Sequence, residues 1–414
     1  MKRVVITGLG AITPVGNDVK SYWENLLAGT SGANKITRFD ANKFKTQFAC
    51  EIKGYNENNY FDRKEARKLD RFTKYGIIAA EEAIKDANLD FSKLDLTRVG
   101  VIFSSGIGGF ETFEQELKNY SANNFKSRFN PFFIPKIIPN SLSGVISIRH
   151  GAMGVNYCPV TACASSTQSL IHAFNYIKWG KADLIIAGGS EAPITEAALG
   201  GFNASKALST NNENYRSASR PFDSTRDGFV VGEGAGALIV ESLASAVKRN
   251  AQIYAEIVGG GESADAYHIT GTHPQGRGAH FAMKNAMDEA SIQPDEVDYI
   301  NAHATSTKLG DLSEIAAIKN LFKNNLSRIQ ISATKSMTGH LLGGTGAIEA
   351  VATCLSVQTN WIPPTINTSK IDEEIPSELN LSLGKKSTKT VEYALSNSFG
   401  FGGHCAAVVF RKYG

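Results

Sequence analysis

Cys163 stands in Val160-Thr161-Ala162-Cys163-Ala164-Ser165-Ser166, ahead of an amphipathic run with Leu170, Ile171, Phe174 and Ile177. Small neighbours let a substrate approach the sulfur. A helix opening at this point aims unpaired N–H groups and the positive end of its dipole at the thiol, which lowers the thiol pKa and favours a nucleophilic thiolate. The alternative is a buried structural cysteine, the common fate of a lone Cys. Two histidines occupy polar, Gly- and Thr-rich segments. His303 lies in Asn301-Ala302-His303-Ala304-Thr305-Ser306-Thr307, and His340 in Thr338-Gly339-His340-Leu341-Leu342-Gly343-Gly344. Lys335, five residues before His340, brings a positive charge close to the same place. The segment Asn397-Ser398-Phe399-Gly400-Phe401-Gly402-Gly403 is either a tight turn with a core aromatic or a loop that aims backbone N–H groups at an oxyanion. A cysteine nucleophile, two histidines and a glycine-rich loop together point to thioester chemistry more than to hydrolysis.

These residues need a scaffold, and the chain carries the pattern of one. Short Val- and Ile-rich runs recur at Val4–Thr7, Val99–Phe103, Leu184–Ala187, Leu238–Val240, Ala255–Val258 and Tyr299–Ala302, each next to a Gly-rich turn. They lack strict alternation, as strands buried on both faces do. Helical spacing fills the gaps, over Thr73–Ala87 and Ser313–Phe322 for example. Strands alternating with helices predict an α/β fold, with sites at the strand ends. A weak duplication is visible. Thr161–Ser166 opens a helix that leads to a strand, and Thr334–Gly346 precedes a second helix over Ala347–Leu355. The two halves, 1–250 and 251–414, meet without a linker-like stretch.

Two glycine patterns mislead. Gly8-Leu9-Gly10 follows the first strand as a dinucleotide-binding turn does, but position 13 is Thr13 where the third glycine belongs. Gly232-Glu233-Gly234-Ala235-Gly236 precedes a strand and reads as close backbone packing.

Composition narrows the field. In 414 residues, 42% are hydrophobic and 20% charged, which excludes a disordered chain or a coiled coil. The net charge of +3 is too small to announce nucleic-acid binding. The five cysteines (Cys50, Cys158, Cys163, Cys354 and Cys405) form no CxxC pair, so neither a disulfide framework nor a zinc site is indicated. With no signal peptide and no membrane-spanning apolar run, a cytoplasmic globular protein is expected.

Longer motifs then carry a resemblance: Ser219-Arg220-Pro221-Phe222-Asp223, Arg226-Asp227-Gly228-Phe229-Val230, Ser263-Ala264-Asp265-Ala266-Tyr267-His268 and Thr334-Lys335-Ser336-Met337-Thr338-Gly339-His340. From Val4 to Gly403 the chain resembles the β-ketoacyl-acyl-carrier-protein synthases of the thiolase superfamily, in particular their elongating type II group. The resemblance implies a thiolase-like fold, two duplicated α/β halves stacked as five layers α-β-α-β-α, paired as a homodimer. It implies Cys163 as acyl acceptor, His303 and His340 as the decarboxylation and condensation pair, Lys335 as supporting charge, and Phe401 as gate and oxyanion donor. Glu349 and Asp311 would support these from behind. Thr305 and Thr307 would line the pantetheine channel, with Gly402 beside it. Ile107, Phe202 and, across the dimer, Phe133 would border the acyl pocket. Acyl carrier protein is the implied partner, docking on Lys64, Arg67, Lys68 and Lys206; the first three lie at i, i+3 and i+4 and share one face if the run is helical. The resemblance implies no cofactor beyond the phosphopantetheine that arrives on the carrier, and no metal.

The chain departs from the family's pattern at Ala304, Lys308, His404 and Cys405, changes that spare the Cys–His–His set. A thiolase acting on coenzyme A, a non-catalytic chain-length partner and a ketosynthase of a specialised pathway are the competing readings. The first normally carries a second catalytic Cys, a place Cys405 suggests, but His340 in Thr-Gly-His belongs to the synthases. The second loses the nucleophile that is present here.

Overall fold

The computed structural model describes residues 1–414. The elements that matter fall into two sets with one order. The first set is strand β1 (Val4–Ile12), helix α1 (Arg71–Asp86), β2 (Val99–Ser104), α2 (Ser141–His150), β3 (Asn156–Tyr157), α3 (Ser165–Lys178), β4 (Leu184–Glu191) and β5 (Gly234–Ser242). The second is β6 (Ala255–Ala264), α4 (Arg277–Ala290), β7 (Tyr299–Asn301), α5 (Lys308–Phe322), β8 (Gln330–Ser332), α6 (Thr345–Thr359), β9 (Tyr393–Gly400) and β10 (His404–Arg411).

Their pairing repeats as well. The first half-sheet runs β1-β5-β4-β2-β3 and the second β6-β10-β9-β7-β8. In each, the first two pairings are antiparallel and the last two parallel. Three apolar clusters hold the layers. Residues of α3 and α6 form the central one with strand residues of both half-sheets, such as Leu238 and Val240 of β5 and Val408 of β10. Neighbours Ala237 and Ile239 point the other way, onto α1 and α2. The third cluster joins α4 and α5 to Leu395, Ala407 and Val409. With side chains of successive residues on opposite faces, both faces of β1, β2, β4 and β5 are buried throughout, which explains the unalternating apolar runs. The layers are α1/α2, half-sheet, α3/α6, half-sheet, α4/α5: the thiolase-like α/β stack. The half-sheets are not separate, however. Val4–Ile6 pairs antiparallel with Ala255–Ile257, and with the short edge strand Asn380–Leu381 beyond β8 the two make one 11-stranded sheet. This pairing satisfies main-chain groups that would otherwise be left on two open edges.

Several strands run further than the apolar pattern suggests because they continue through glycines. β1 extends across Gly8 and Gly10 to Ile12. A Cβ on Gly8 would lie 2.3 Å from the Ala83 carbonyl oxygen, and one on Gly10 only 1.9 Å from that of Ala79. These glycines let α1 press onto β1, and that is their role rather than phosphate binding. Gly10→Ala is therefore expected to cost roughly 1–3 kcal/mol or more through overpacking. Gly144→Ala, in α2 with nothing within 4 Å of its added Cβ, should be neutral or stabilising. Denaturant melts of the two variants check this, and equal stability would contradict the packing account.

Candidate active site

The turn that presents Cys163 is strained and well braced. After β3 the chain enters Ala162 at φ 51°, a left-handed conformation that non-glycine residues rarely adopt. A 3₁₀ turn over Ala162–Ala164 then leads into α3. The Ser165 hydroxyl donates to the Ala162 carbonyl at 2.7 Å and accepts the Thr161 N–H at 2.8 Å. Cys163 ends up 8% exposed.

His340 comes to it from the other half. Its N–H donates to Val230 O at 2.8 Å and its carbonyl accepts the Gly232 N–H at 2.9 Å. Phe229 meets the ring edge-on, 5.3 Å between centroids. Nε2 then lies 3.0 Å from Cys163 Sγ, and Nδ1 lies 3.0 Å from Thr345 Oγ1. His303 completes the cluster, its ring 5.4 Å from that of His340 at 85° and 5.5 Å from Phe399. Its Nδ1 is buried without a partner. The His303 backbone is fixed by Glu314, which accepts the N–H groups of His303 (2.9 Å) and Ala304 (2.8 Å) and the side-chain amide of Asn397 (3.0 Å). Asp311 does similar work for the next stretch, accepting from Ser306 N–H at 3.1 Å and Phe222 N–H at 3.0 Å, with Arg226 3.1 Å away. Behind them Lys335 Nζ donates to Glu349 Oε1 at 2.7 Å in a fully buried ion pair.

Burial dominates the electrostatics. It pushes the Cys163 thiol up to about 12, against the Lys335 charge and the Phe401 N–H, both of which favour the thiolate. The thiolate expected from a helix start is thus not the resting form: desolvation outweighs the dipole. Burial first, then the charge of Lys335, holds both histidines well below 6.5, so the imidazoles are neutral at pH 7. Burial likewise raises the Glu349 carboxyl to about 7, with Lys335 opposing it.

Phe401 sits in the three-residue turn between β9 and β10, partly exposed. Gly402 and Gly403, at φ 85° and 77°, make that turn possible. A Cβ on Gly400 would lie 3.0 Å from Cys163 N, so this glycine keeps the space in front of the Cys163 N–H open. A cavity of about 650 Å³ runs outward from the cluster. Cys163, His303, His340 and Phe401 line it together with Ile107 and Phe202, and Thr305, Thr307 and Lys206 also face it. The hydroxyls of Thr305 and Thr307 are 3.0 Å apart.

Other expected residues lie elsewhere. Gly402 does not line the cavity; its N–H donates to Ile269 O at 2.7 Å. Phe133, expected to reach a partner's pocket across a dimer, stacks on Phe129 at 5.5 Å beside exposed Phe132 and Ile134. The basic run does not form the expected continuous face. Its helix spans only Arg63–Ala66, Arg67 caps it and Lys68 lies beyond, 5.6 Å from the Phe132 ring centre. The chain turns there because Leu69 is buried and Asp70 caps α1, accepting the Phe72 N–H. Lys64, Arg67 and Lys68 nevertheless remain exposed. Sequence reasoning missed Glu314 and Thr345. Glu314 had a signal: with Asp311 it puts two carboxylates at i, i+3 on the apolar side of a helix that also carries Ile315 and Ile318. Thr345 had none, since only the fold brings it to His340.

Comparison with known proteins agrees with this geometry. Residues 1–246 match the β-ketoacyl synthase N-terminal domain and residues 254–369 its C-terminal domain. Over 412 residues, covering 100% of this chain and 99% of the relative, the sequence is 51% identical to 3-oxoacyl-[acyl-carrier-protein] synthase 2 of Staphylococcus aureus (strain COL). Among solved structures, the ishigamide ketosynthase/chain length factor superposes with a TM-score of 0.93 at 33% identity, covering 100% of both chains. A ketosynthase solved in complex with its type II PKS acyl-carrier protein superposes at 0.91 with 32% identity, again over 100% of both chains. With both domains matched and a full-length relative at this identity, the chain belongs to the β-ketoacyl synthase family.

Proposed function

We propose that this protein is a 3-oxoacyl-[acyl-carrier-protein] synthase of type 2, which lengthens a carrier-bound acyl chain by two carbons. The observation that carries this is His340 Nε2 at 3.0 Å from Cys163 Sγ, with the His303 ring beside it, all three lining one cavity. The S. aureus 3-oxoacyl-[acyl-carrier-protein] synthase 2 at 51% favours fatty-acid elongation over the type II PKS ketosynthase at 32%. The half 1–250 supplies the nucleophile and the half 251–414 the histidines, a division that the repeated strand order supports.

In the first step the Cys163 proton passes to His340 Nε2 as sulfur attacks the acyl thioester. The oxyanion is held by the N–H groups of Cys163 and Phe401. The tetrahedral adduct collapses, the pantetheine sulfur leaves, and it takes the proton back. A malonyl thioester then loses CO₂. The electron pair of the broken C–C bond becomes an enolate, whose oxygen accepts hydrogen bonds from the neutral imidazoles of His303 and His340. The enolate carbon attacks the acyl carbonyl on Cys163, the C–S bond breaks, and the sulfur is reprotonated from solvent. His340 must accept at Nε2 in the first step and donate there in the second. The Thr345 hydroxyl, both donor and acceptor, suits either tautomer.

Acyl carrier protein is the partner this reading requires, and the solved ketosynthase complex supports it. A homodimer is supported by the apolar face of Phe129, Phe132 and Ile134 next to Phe133. No helix is long and apolar enough to cross a membrane. The direct test supplies acyl and malonyl carriers and looks for CO₂ and the 3-oxoacyl carrier by mass. Neither product forming would overturn the reading.

The docking surface has its own test. Reversing Lys64 and Arg67 to Glu should raise KM for carrier-bound substrate roughly tenfold at low salt and flatten its salt dependence. Turnover of a small free thioester should stay unchanged. Equal losses with both substrates would assign the patch to the pocket or the fold.

A further inference from the structure

Glu191, at the end of β4, is a fully buried carboxylate that the mechanism above does not use. It holds four hydrogen bonds. Oε1 accepts the Ser105 hydroxyl at 2.7 Å and the Ile107 N–H at 3.1 Å; Oε2 accepts the N–H groups of Gly106 at 2.7 Å and Gly343 at 2.9 Å. Three of these donors lie in the loop after β2, whose Ile107 forms the cavity wall. The fourth is three residues after His340, from the other half of the chain. Space around it is tight: a Cβ on Gly106 would be 2.8 Å, and one on Gly343 2.7 Å, from Glu191 Oε2.

The internal repeat gives this cluster a meaning. The turn Leu342–Gly344 leads into α6 as Ala162–Ala164 leads into α3, and their first residues share the left-handed conformation, φ 47° and 51°. Gly343 thus occupies the place that Cys163 holds in the other half. β4 and β9 are each eight residues long, so Glu191 ends its strand where Gly400 ends the other. On the catalytic side, Gly400 leaves the Cys163 N–H open to an oxyanion. On the duplicate side, the matching N–H of Gly343 meets the Glu191 carboxylate, and a built-in anion fills the cradle. Burial raises this carboxyl, and the four converging donors oppose that shift.

We propose that Glu191 is a positioning residue that ties the acyl-pocket wall at Ile107 to the loop following His340, so that chain-length preference and condensation are set together. The proposal rests on the reading of Cys163 as the acyl acceptor. Leu342, strained at its left-handed φ and also lining the cavity, is held in place by the bond at its neighbour Gly343.

Glu191→Gln tests it. An amide NH₂ in the Oε2 position would face two N–H donors. In the Oε1 position it can donate to the Ser105 hydroxyl, and only the Ile107 N–H is opposed. The variant should therefore loosen Ile107 selectively. We measure acylation of Cys163 by intact mass with C6 and C14 acyl carriers, for wild type and variant side by side. The C14:C6 rate ratio should rise roughly tenfold, the size expected for loss of one charged hydrogen bond, and Glu191→Asp should partly restore it. Ser105→Ala, a milder change that removes one donor, should shift the ratio in the same direction and carries the test if Glu191→Gln does not fold. A wild-type ratio in every folded variant would overturn the proposal. Failure of wild type to acylate Cys163 would instead overturn the reading on which it rests.

Discussion

Cys163→Ala is expected to fold with the stability of the parent, take up no acyl group and lose condensation by on the order of 10⁴-fold or more. The sulfur faces a cavity, and its one side-chain hydrogen-bond partner is His340 Nε2 at 3.0 Å. Removing it leaves the neutral imidazole open to the same space and buries no new charge. Thermal melts check the fold, and mass spectrometry after mixing with acyl carrier checks the chemistry. An adduct forming at the wild-type rate on the variant would remove Cys163 from the mechanism.

The second large effect separates the two chemical steps. His303→Ala should leave acylation of Cys163 near normal and slow condensation by roughly 10²–10³-fold, the usual cost of one lost oxyanion donor. His340→Ala should lose condensation to the same degree and also slow acylation, because His340 alone of the pair touches Sγ. Both rings are held neutral by burial and by Lys335. Wild-type condensation should therefore not titrate near 6.5, where an ordinary histidine would, but only at lower pH. Rapid-quench rates for each step across pH 5.5–8 read this out. Equal loss of both steps in His303→Ala, or an inflection near 6.5, would contradict the assignment.

Much of this was legible in the chain because the reacting residues sit in local motifs. Cys163, His303 and His340 each stand among small or polar residues that close a strand or open a helix, a context readable within a few positions. The repeat was only faintly visible. It lies in pairing order, β1-β5-β4-β2-β3 against β6-β10-β9-β7-β8, and hydrogen-bonding partners leave little trace in composition. The thiol shift came out with the wrong sign because burial belongs to the whole fold. A helix start is local, but the layers that desolvate Cys163 are contributed by residues far along the chain. Tertiary demand likewise shortened the basic helix, where Leu69 and Asp70 are both drawn inward. Glu191 could not have been found at all without the fold, for its donors come from Ser105–Ile107 and Gly343, about 85 and 152 positions away.

The most direct measurement follows one acyl group through one turnover. The protein is mixed with acyl carrier alone, a portion is digested and mapped by mass, and malonyl carrier is then added to the rest. A single acyl adduct on the peptide containing Cys163 is predicted, disappearing at the rate at which CO₂ and a 3-oxoacyl carrier two carbons longer appear. An adduct on Cys158 or Cys405, or product forming while the Cys163 adduct persists, would contradict the account.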